Sequence, residues 1–130
     1  MLRRLVRRTA FNPVLSRLYR LYYFICVRLL VQFVRTVPEI RSVLLHRGFG
    51  EADWVAGYSD IDLVMIVDSL DPTLEGTVLA RFWRGINALR SAFPFIGTIH
   101  LVTGADLTCW LRDGGIRRLE SGSWKTLYAR

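Results

Sequence analysis

The chain has 130 residues, 52% of them hydrophobic, and a formal net charge of +7. This length allows one domain with a sizeable core and is too short for two ordinary domains. The charge is unevenly distributed, because residues 1–38 carry eight arginines and no acidic residue, whereas the remainder is close to neutral. We therefore expect a basic N-terminal helical segment, 1–38, and a domain at 39–130 without a specific nucleic-acid signal.

The basic segment predicts an amphipathic helix. Asn12 and Pro13 form a typical helix start, and the helix should end near Thr36, before Pro38. Apolar side chains recur between them at three- and four-residue spacing, namely Leu15, Leu18, Leu21, Tyr22, Ile25, Leu29 and Phe33.

Two other interpretations fit this segment less well. An arginine-rich start without acidic residues also occurs in transit peptides, but those are usually richer in serine. The apolar run 21–34 is interrupted by Arg28 and is shorter than the roughly 20 residues that a bilayer core requires. Three roles stay open for the helix: a cover over one face of the domain, contact with an anionic membrane surface, or binding of a protein partner.

The elements after Pro38 predict a layered fold. A strand, a glycine-containing loop, a second strand of nearly continuous apolar residues, a helix, a third strand and a short helix follow one another. Their approximate bounds are Ile40–Leu45, 46–59, Ile61–Val67, 74–93, Ile96–Thr103 and Leu107–Arg112, and the last residues are assigned to a tail. This order predicts an α/β (α+β) fold in which helices pack on a small mixed β-sheet.

Cysteine and histidine are too few to suggest a zinc site. Cys26 and Cys109 are far apart and lack metal-ligand spacing, and His46 and His100 are the only histidines. Two isolated thiols are typical of a reducing compartment, so we expect a cytoplasmic protein.

Two carboxylates, Asp60 and Asp62, open the second strand. Side chains at i and i+2 of a strand share a face, and their Cα atoms lie about 6.5–7 Å apart at roughly 3.3 Å per residue. This spacing allows two carboxylates to share Mg²⁺, whose usual ligands are carboxylate oxygens, water and substrate phosphates. The alternative is structural, with Asp60 capping the loop and Asp62 paired with an arginine.

The stretch "RGFGEADWVAGYSDIDLVMIVD" resembles the signature of the polymerase-beta-type nucleotidyltransferase superfamily, in particular its minimal bacterial members. In that family a strand leads into a Gly-Ser turn, and after a loop the next strand opens with Ser-Asp-x-Asp-Leu. Gly48 matches the turn glycine, and Ser59, Asp60 and Asp62 reproduce the strand opening. The resemblance, which covers about Val37 to Thr103, implies Mg²⁺-dependent transfer of a nucleoside monophosphate from a nucleoside triphosphate, expected to be ATP, to a hydroxyl acceptor.

The resemblance also implies roles for individual residues. Asp60 and Asp62 would hold the magnesium, while Gly48 and Phe49 of the turn, with Ser59, would lie against the nucleotide. Arg47 either contacts phosphate or is a solvated loop residue. Minimal members commonly work with a helical partner protein, so such a partner or a homo-oligomer is expected. Four aromatic side chains could stack on a base or serve as core or dimer contacts, namely Trp54, Trp110, Trp124 and Tyr128.

Two positions depart from the family pattern. Phe49 replaces the turn serine, and His100 stands where the family has a third carboxylate. Histidine can accept a proton near neutral pH but is a poor magnesium ligand. Asp68 lies about 26 Å along the strand from Asp60 and is too distant to substitute, whereas Asp106 could join the site if the chain turns back. The alternative is therefore a catalytically degenerate relative that acts as a partner-binding or regulatory module.

Overall fold

The computed structural model describes residues 2–46, 49, 54–68, 72–112 and 124–130. Four helices and four strands lie along these residues and confirm the predicted mixed α/β fold with helices packed on a small mixed sheet. In chain order they are α1 (Leu2–Thr9), α2 (Pro13–Arg35), β1 (Ile40–Leu45), β2 (Ile61–Val67), α3 (Pro72–Ala92), β3 (Ile96–Thr103), α4 (Gly104–Arg112) and β4 (Lys125–Ala129).

The sheet has the strand order β3-β2-β1-β4. β1 pairs antiparallel with both β2 and β4, whereas β2 and β3 are parallel. The parallel pair is joined through α3, as parallel strands need a long crossover connection. The three predicted strands are confirmed, while α1 and the edge strand β4 have no counterpart in the sequence prediction.

Helix α2 begins and ends where the sequence predicts. The Asn12 side chain caps it by accepting hydrogen bonds from the N–H groups of Val14 and Leu15, Pro13 takes the first position, and Thr36 is the C-cap. Its buried residues are Tyr23, Cys26, Val27, Leu30 and Val34. Most of the apolar residues whose spacing predicts this helix lie instead on its exposed side. No helix in the described part of the chain is long and apolar enough to cross a bilayer.

The core lies between the sheet and the two long helices. Alternate residues of β2, Ile61, Leu63 and Met65, belong to a buried cluster that also contains Tyr23 and Leu30 of α2 and Phe82 and Ile86 of α3. Helix α3 faces the core with Phe82 and Ile86, which are at most 2% exposed. Helix α4 contacts β2 and β3, where its Trp110 ring lies beside His100 on the opposite face of the sheet. The basic segment thus shares one core with the rest of the chain.

The two cysteines are expected to differ in reactivity. Cys26 is 1% exposed and burial raises the pKa of its thiol to about 12, whereas Cys109 is exposed on α4. Because the thiolate is the reactive form, iodoacetamide at mildly alkaline pH should modify Cys109 and leave Cys26 unmodified until the protein is unfolded. Peptide mass spectrometry before and after adding urea measures this. Equal modification of both cysteines in the native protein would contradict the burial of Cys26.

Candidate functional site

The predicted carboxylates lie together over one residue of the neighbouring strand. A Cβ at Gly97 of β3 would overlap Asp62 Oδ1 and would stand 2.8 Å from Asp60 Cβ. Both side chains are half-buried and occupy the sheet face opposite to Ile61 and Leu63. The structure therefore brings Asp60 and Asp62 side by side, as their spacing predicts.

A bulge in β3 fixes the carboxylate of Asp62. The register between β2 and β3 shifts there, so that Gly97 and Thr98 together face the single residue Asp62. The Thr98 N–H donates to Asp62 Oδ1 at 2.7 Å. A hydrogen bond from a backbone N–H stabilises the charged form of a carboxylate and also sets its orientation.

The bulge is itself supported by α3. The guanidinium of Arg90 donates to the carbonyl oxygen of Gly97 at 2.6 Å and lies over the ring of Trp83 at 5.9 Å. The sequence analysis missed Gly97, Thr98 and Arg90. An isolated glycine inside a strand pattern is a known sign of a bulge or a close backbone approach, and "FIGTIHLV" contains that sign.

The end of β1 runs beside the two aspartates. The N–H of His46 donates to the carbonyl of Asp62 at 2.8 Å, and the N–H of Phe49 donates to the carbonyl of Asp60 at 3.2 Å. Arg47 and Gly48, which the sequence places in the phosphate-binding turn, lie outside the described residues. The residues on either side of Arg47 and Gly48 are thus hydrogen-bonded to the backbone of the two aspartates.

Phe49 packs into the aromatic core. Its ring is 5.3 Å from that of Tyr23 and 5.5 Å from that of Trp54, centre to centre. Trp54 is buried and also packs on Tyr23, at 5.0 Å. The ring holds Phe49 in the aromatic core, so its backbone N–H has a fixed position next to Asp60. The family that the sequence resembles has serine at this position.

Ser59 closes the turn that precedes Asp60. Its N–H donates to the carbonyl of Val55 at 2.9 Å, and its hydroxyl accepts from the Val55 N–H at 3.1 Å. Its carbonyl accepts a hydrogen bond from the hydroxyl of Tyr23 at 2.9 Å. These contacts show that Ser59 stabilises the backbone at the start of β2. Its contact with a nucleotide stays a prediction.

The same turn is held by both N-terminal helices. Gly57 has φ +78°, a conformation that favours glycine, and its N–H donates to the Tyr23 hydroxyl at 3.2 Å. Its carbonyl accepts from Arg7 Nε at 2.8 Å, and the guanidinium of Arg7 also lies over the ring of Tyr58 at 4.7 Å. Helices α1 and α2 therefore stabilise the turn that leads into Asp60 and Asp62.

Two histidines lie on the same face of the sheet as Asp62. His100 pairs with Val64 of β2, so its side chain shares the face of Asp62, and His46 follows β1 in register opposite Asp62. The two rings are 6.5 Å apart, and His46 is only 8% exposed. The ring of Trp124 lies 5.2 Å from His46. The sequence analysis identified His100 as a candidate and missed His46, although it directly precedes Arg47 and Gly48.

The other acidic candidates lie away from the pair. Thr103 Oγ1 bonds Asp106 Oδ2 at 2.7 Å and accepts from its N–H at 3.1 Å, which caps α4. Thr103 pairs with Val67, about 16 Å along β2 from Asp62 at roughly 3.3 Å per residue. Asp68 is paired with Arg41. Asp106 therefore does not turn back to the site, and the structure corrects that alternative.

The side chains around Asp60 and Asp62 limit which metal ion the site can hold. Within the described residues, no three histidine, cysteine, aspartate or glutamate side chains converge as a metal-binding group. Mg²⁺ commonly binds through one or two carboxylates and takes its other ligands from water and substrate phosphates. Asp60 and Asp62 match that requirement and fit a magnesium that arrives with its nucleotide. In comparisons with protein-family models, curated proteins and solved structures, no match to this chain was found.

Proposed function

We propose that the chain is a Mg²⁺-dependent nucleotidyltransferase of the polymerase-beta type, which transfers a nucleoside monophosphate from a nucleoside triphosphate such as ATP to a hydroxyl acceptor. The observation that supports this proposal is the convergence of Asp60 and Asp62 over Gly97, next to His46 and Phe49, whose N–H groups are hydrogen-bonded to the backbone of the two aspartates. The strand bulge at Gly97 and Thr98 is a second support, because bulges are over-represented next to active sites.

In this proposal Asp60 and Asp62 hold Mg²⁺, which would neutralise the triphosphate and polarise the α-phosphoryl group. The N–H of Thr98 keeps one oxygen of Asp62 in place, so the carboxylate is oriented before the nucleotide binds. As the acceptor oxygen forms its bond to the α-phosphorus, the bond to pyrophosphate breaks. The imidazole of His100, half-buried on the same face, is the group proposed to take the hydroxyl proton.

The second candidate function is a catalytically degenerate module that binds a partner or regulates one. It is favoured by His100 at the family's third carboxylate position and by the use of Phe49 as a core residue. Such a module would keep nucleotide binding or lose it, but would transfer nothing. The two candidates differ in a measurable product, which is the labelled acceptor or pyrophosphate.

We place either activity in the cytoplasm. Cys26 and Cys109 are both free thiols, which is usual in a reducing compartment. Nucleotide and magnesium would be supplied there.

Replacing Asp62 with asparagine should lower the transfer rate at least 100-fold. Asparagine keeps an oxygen for the Thr98 N–H but removes the charge, and metal-assisted charge stabilisation contributes several kcal/mol, with a factor of ten for each 1.36 kcal/mol. The measurement uses α-labelled ATP with Mg²⁺ and follows protein-bound label and released pyrophosphate. Asp68→Asn, which removes the same charge at the Arg41 pair, is the control and should retain activity. If the wild type binds ATP but yields neither product, the degenerate module is the better account.

A further inference from the structure

Exposed apolar side chains are concentrated in the first two helices. Among the described residues, every exposed large hydrophobic side chain except Tyr58 lies between residues 5 and 29. Five of them recur at three- and four-residue spacing on α2 and form what we call the outer face: Val14, Leu18, Leu21, Ile25 and Leu29, which are 43–66% exposed. Leu5 of α1 and Phe11, 81% exposed between the helices, extend it. Helix α2 thus has one apolar side in the core and another in solvent.

The outer face is accompanied by positive charge. Arg17, Arg28 and Arg35 are all exposed and are separated by close to whole numbers of turns, so they form one row along α2. The Arg28 guanidinium lies over the ring of Phe24, itself 50% exposed, at 5.4 Å. No acidic residue occurs before Glu39. Any surface that covers the outer face must therefore be apolar in the middle and anionic along its edge.

A small apolar cavity lies beside the outer face. It has a volume of about 240 Å³ and is lined by Val6, Leu18, Tyr19, Tyr22 and Phe95. The Tyr19 hydroxyl is bonded to Thr9, and the Tyr22 hydroxyl donates to the carbonyl of Ala92, so their rings rather than their polar tips are left for the cavity. The cavity is below the size of ordinary small-molecule sites, about 300–1,000 Å³, and its chemistry suits the end of a hydrocarbon chain.

We propose that the outer face, with Leu5 and Phe11, docks on an anionic membrane surface, the arginine row binding lipid phosphates and the apolar side chains entering the acyl boundary. Arginine matches phosphate geometry well, and basic amphipathic helices bind such surfaces through apolar area and charge together. A second copy of the chain is disfavoured because pairing the two outer faces would bring together two segments that each carry eight arginines and no acidic residue. A partner helix with acidic edges would also match the charge, but the small apolar cavity suits the end of a lipid acyl chain.

Docking in this way leaves the candidate site accessible. Asp60 and Asp62 lie on the sheet face opposite to the core residues that α2 covers. The carboxylates would therefore face away from the bilayer, and membrane binding does not depend on the proposed chemistry.

The test is sedimentation of the full chain with vesicles at low salt. The protein should sediment with vesicles of phosphatidylcholine mixed with phosphatidylglycerol. Its affinity for pure phosphatidylcholine vesicles should be at least tenfold lower. About 1 M salt should release the protein from the anionic vesicles, because the screening length is then about 3 Å. Leu21→Ser/Ile25→Ser should lower the vesicle affinity at least tenfold. Both substituted side chains are exposed, so the fold should persist, as circular dichroism would verify.

Two matched double variants test whether vesicle binding depends on where the positive charges lie. Arg17→Gln/Arg28→Gln should weaken binding at least tenfold, whereas Arg84→Gln/Lys125→Gln, which removes two exposed charges on α3 and β4, should change it far less. Equal losses in the two variants would overturn the docking geometry.

Sedimentation equilibrium on the same samples tests the competing occupants. A dimer that is dissociated by Leu21→Ser/Ile25→Ser would assign the outer face to a second copy of the chain. A monomer that does not bind anionic vesicles would assign it to a protein partner. Either result would overturn the membrane proposal.

Discussion

Replacing Gly97 with alanine is expected to weaken magnesium-dependent ATP binding at least tenfold while most of the fold is retained. The added Cβ would overlap Asp62 Oδ1 and crowd Asp60 Cβ, so the Asp62 carboxylate and the Asp60 side chain are expected to shift and the hydrogen bond from the Thr98 N–H to weaken. A tenfold loss corresponds to about 1.4 kcal/mol. Overpacking of this kind costs about 1–3 kcal/mol of stability, which a folded domain can tolerate.

The matched control is Gly76→Ala. Gly76 lies on α3, and a Cβ added there meets no atom within 4 Å. Alanine is the better helix former, so this variant should bind as the wild type does and should be slightly more stable. Calorimetric titration with ATP and Mg²⁺ gives the affinities, and urea unfolding gives the stabilities. Unchanged affinity in Gly97→Ala would show that the position of the two carboxylates does not matter for binding.

A chain that begins at residue 39 is expected not to fold cooperatively. The division into a helical segment, 1–38, and a domain, 39–130, stays a prediction from composition, and this truncation tests it. Tyr23, Leu30 and Val34 are fully buried in the common core. Loss of one large core side chain costs about 2–5 kcal/mol, and whole domains are stable by only about 5–15 kcal/mol.

Two adjacent leucines provide the single-residue version of this experiment. Leu30 is 0% exposed and Leu29 is 46% exposed. Leu30→Ala should lower the free energy of unfolding by about 2–5 kcal/mol, whereas Leu29→Ala should change it by no more than about 0.5 kcal/mol. Urea unfolding followed by circular dichroism measures both. A cooperative transition in the truncated chain, or similar losses for the two leucines, would show that α2 is an appendage.

Much of the fold follows from local patterns. The bounds of β1, β2 and β3 and the start of α2 were predicted from apolar runs and from the Asn12-Pro13 start. Helix α1 and strand β4 could not be predicted because their stability comes from tertiary contacts. Arg7 of α1 is bonded to the Gly57 turn, and β4 is a short edge strand whose register is set by β1. The buried side of α2 could not be predicted either, because both sides of this helix are apolar.

The candidate site was predictable only in part. The period of a strand brings Asp60 and Asp62 to one face, so their proximity could be predicted from spacing. The Gly97–Thr98 bulge, the support from Arg90 and the position of His46 depend on how β3 and β1 align with β2. Register of this kind is decided by the whole sheet, and a single sequence contains only the glycine as a hint.

Calorimetric titration of the full chain with ATP, with and without Mg²⁺, tests most directly whether Asp60 and Asp62 bind a metal–nucleotide complex. Binding is expected to require Mg²⁺ and to be lost in Asp60→Asn/Asp62→Asn, while Asp68→Asn binds normally. Binding that does not depend on Mg²⁺, or that is unchanged in the double variant, would contradict the assignment of Asp60 and Asp62 as the residues that hold a metal-bound nucleotide.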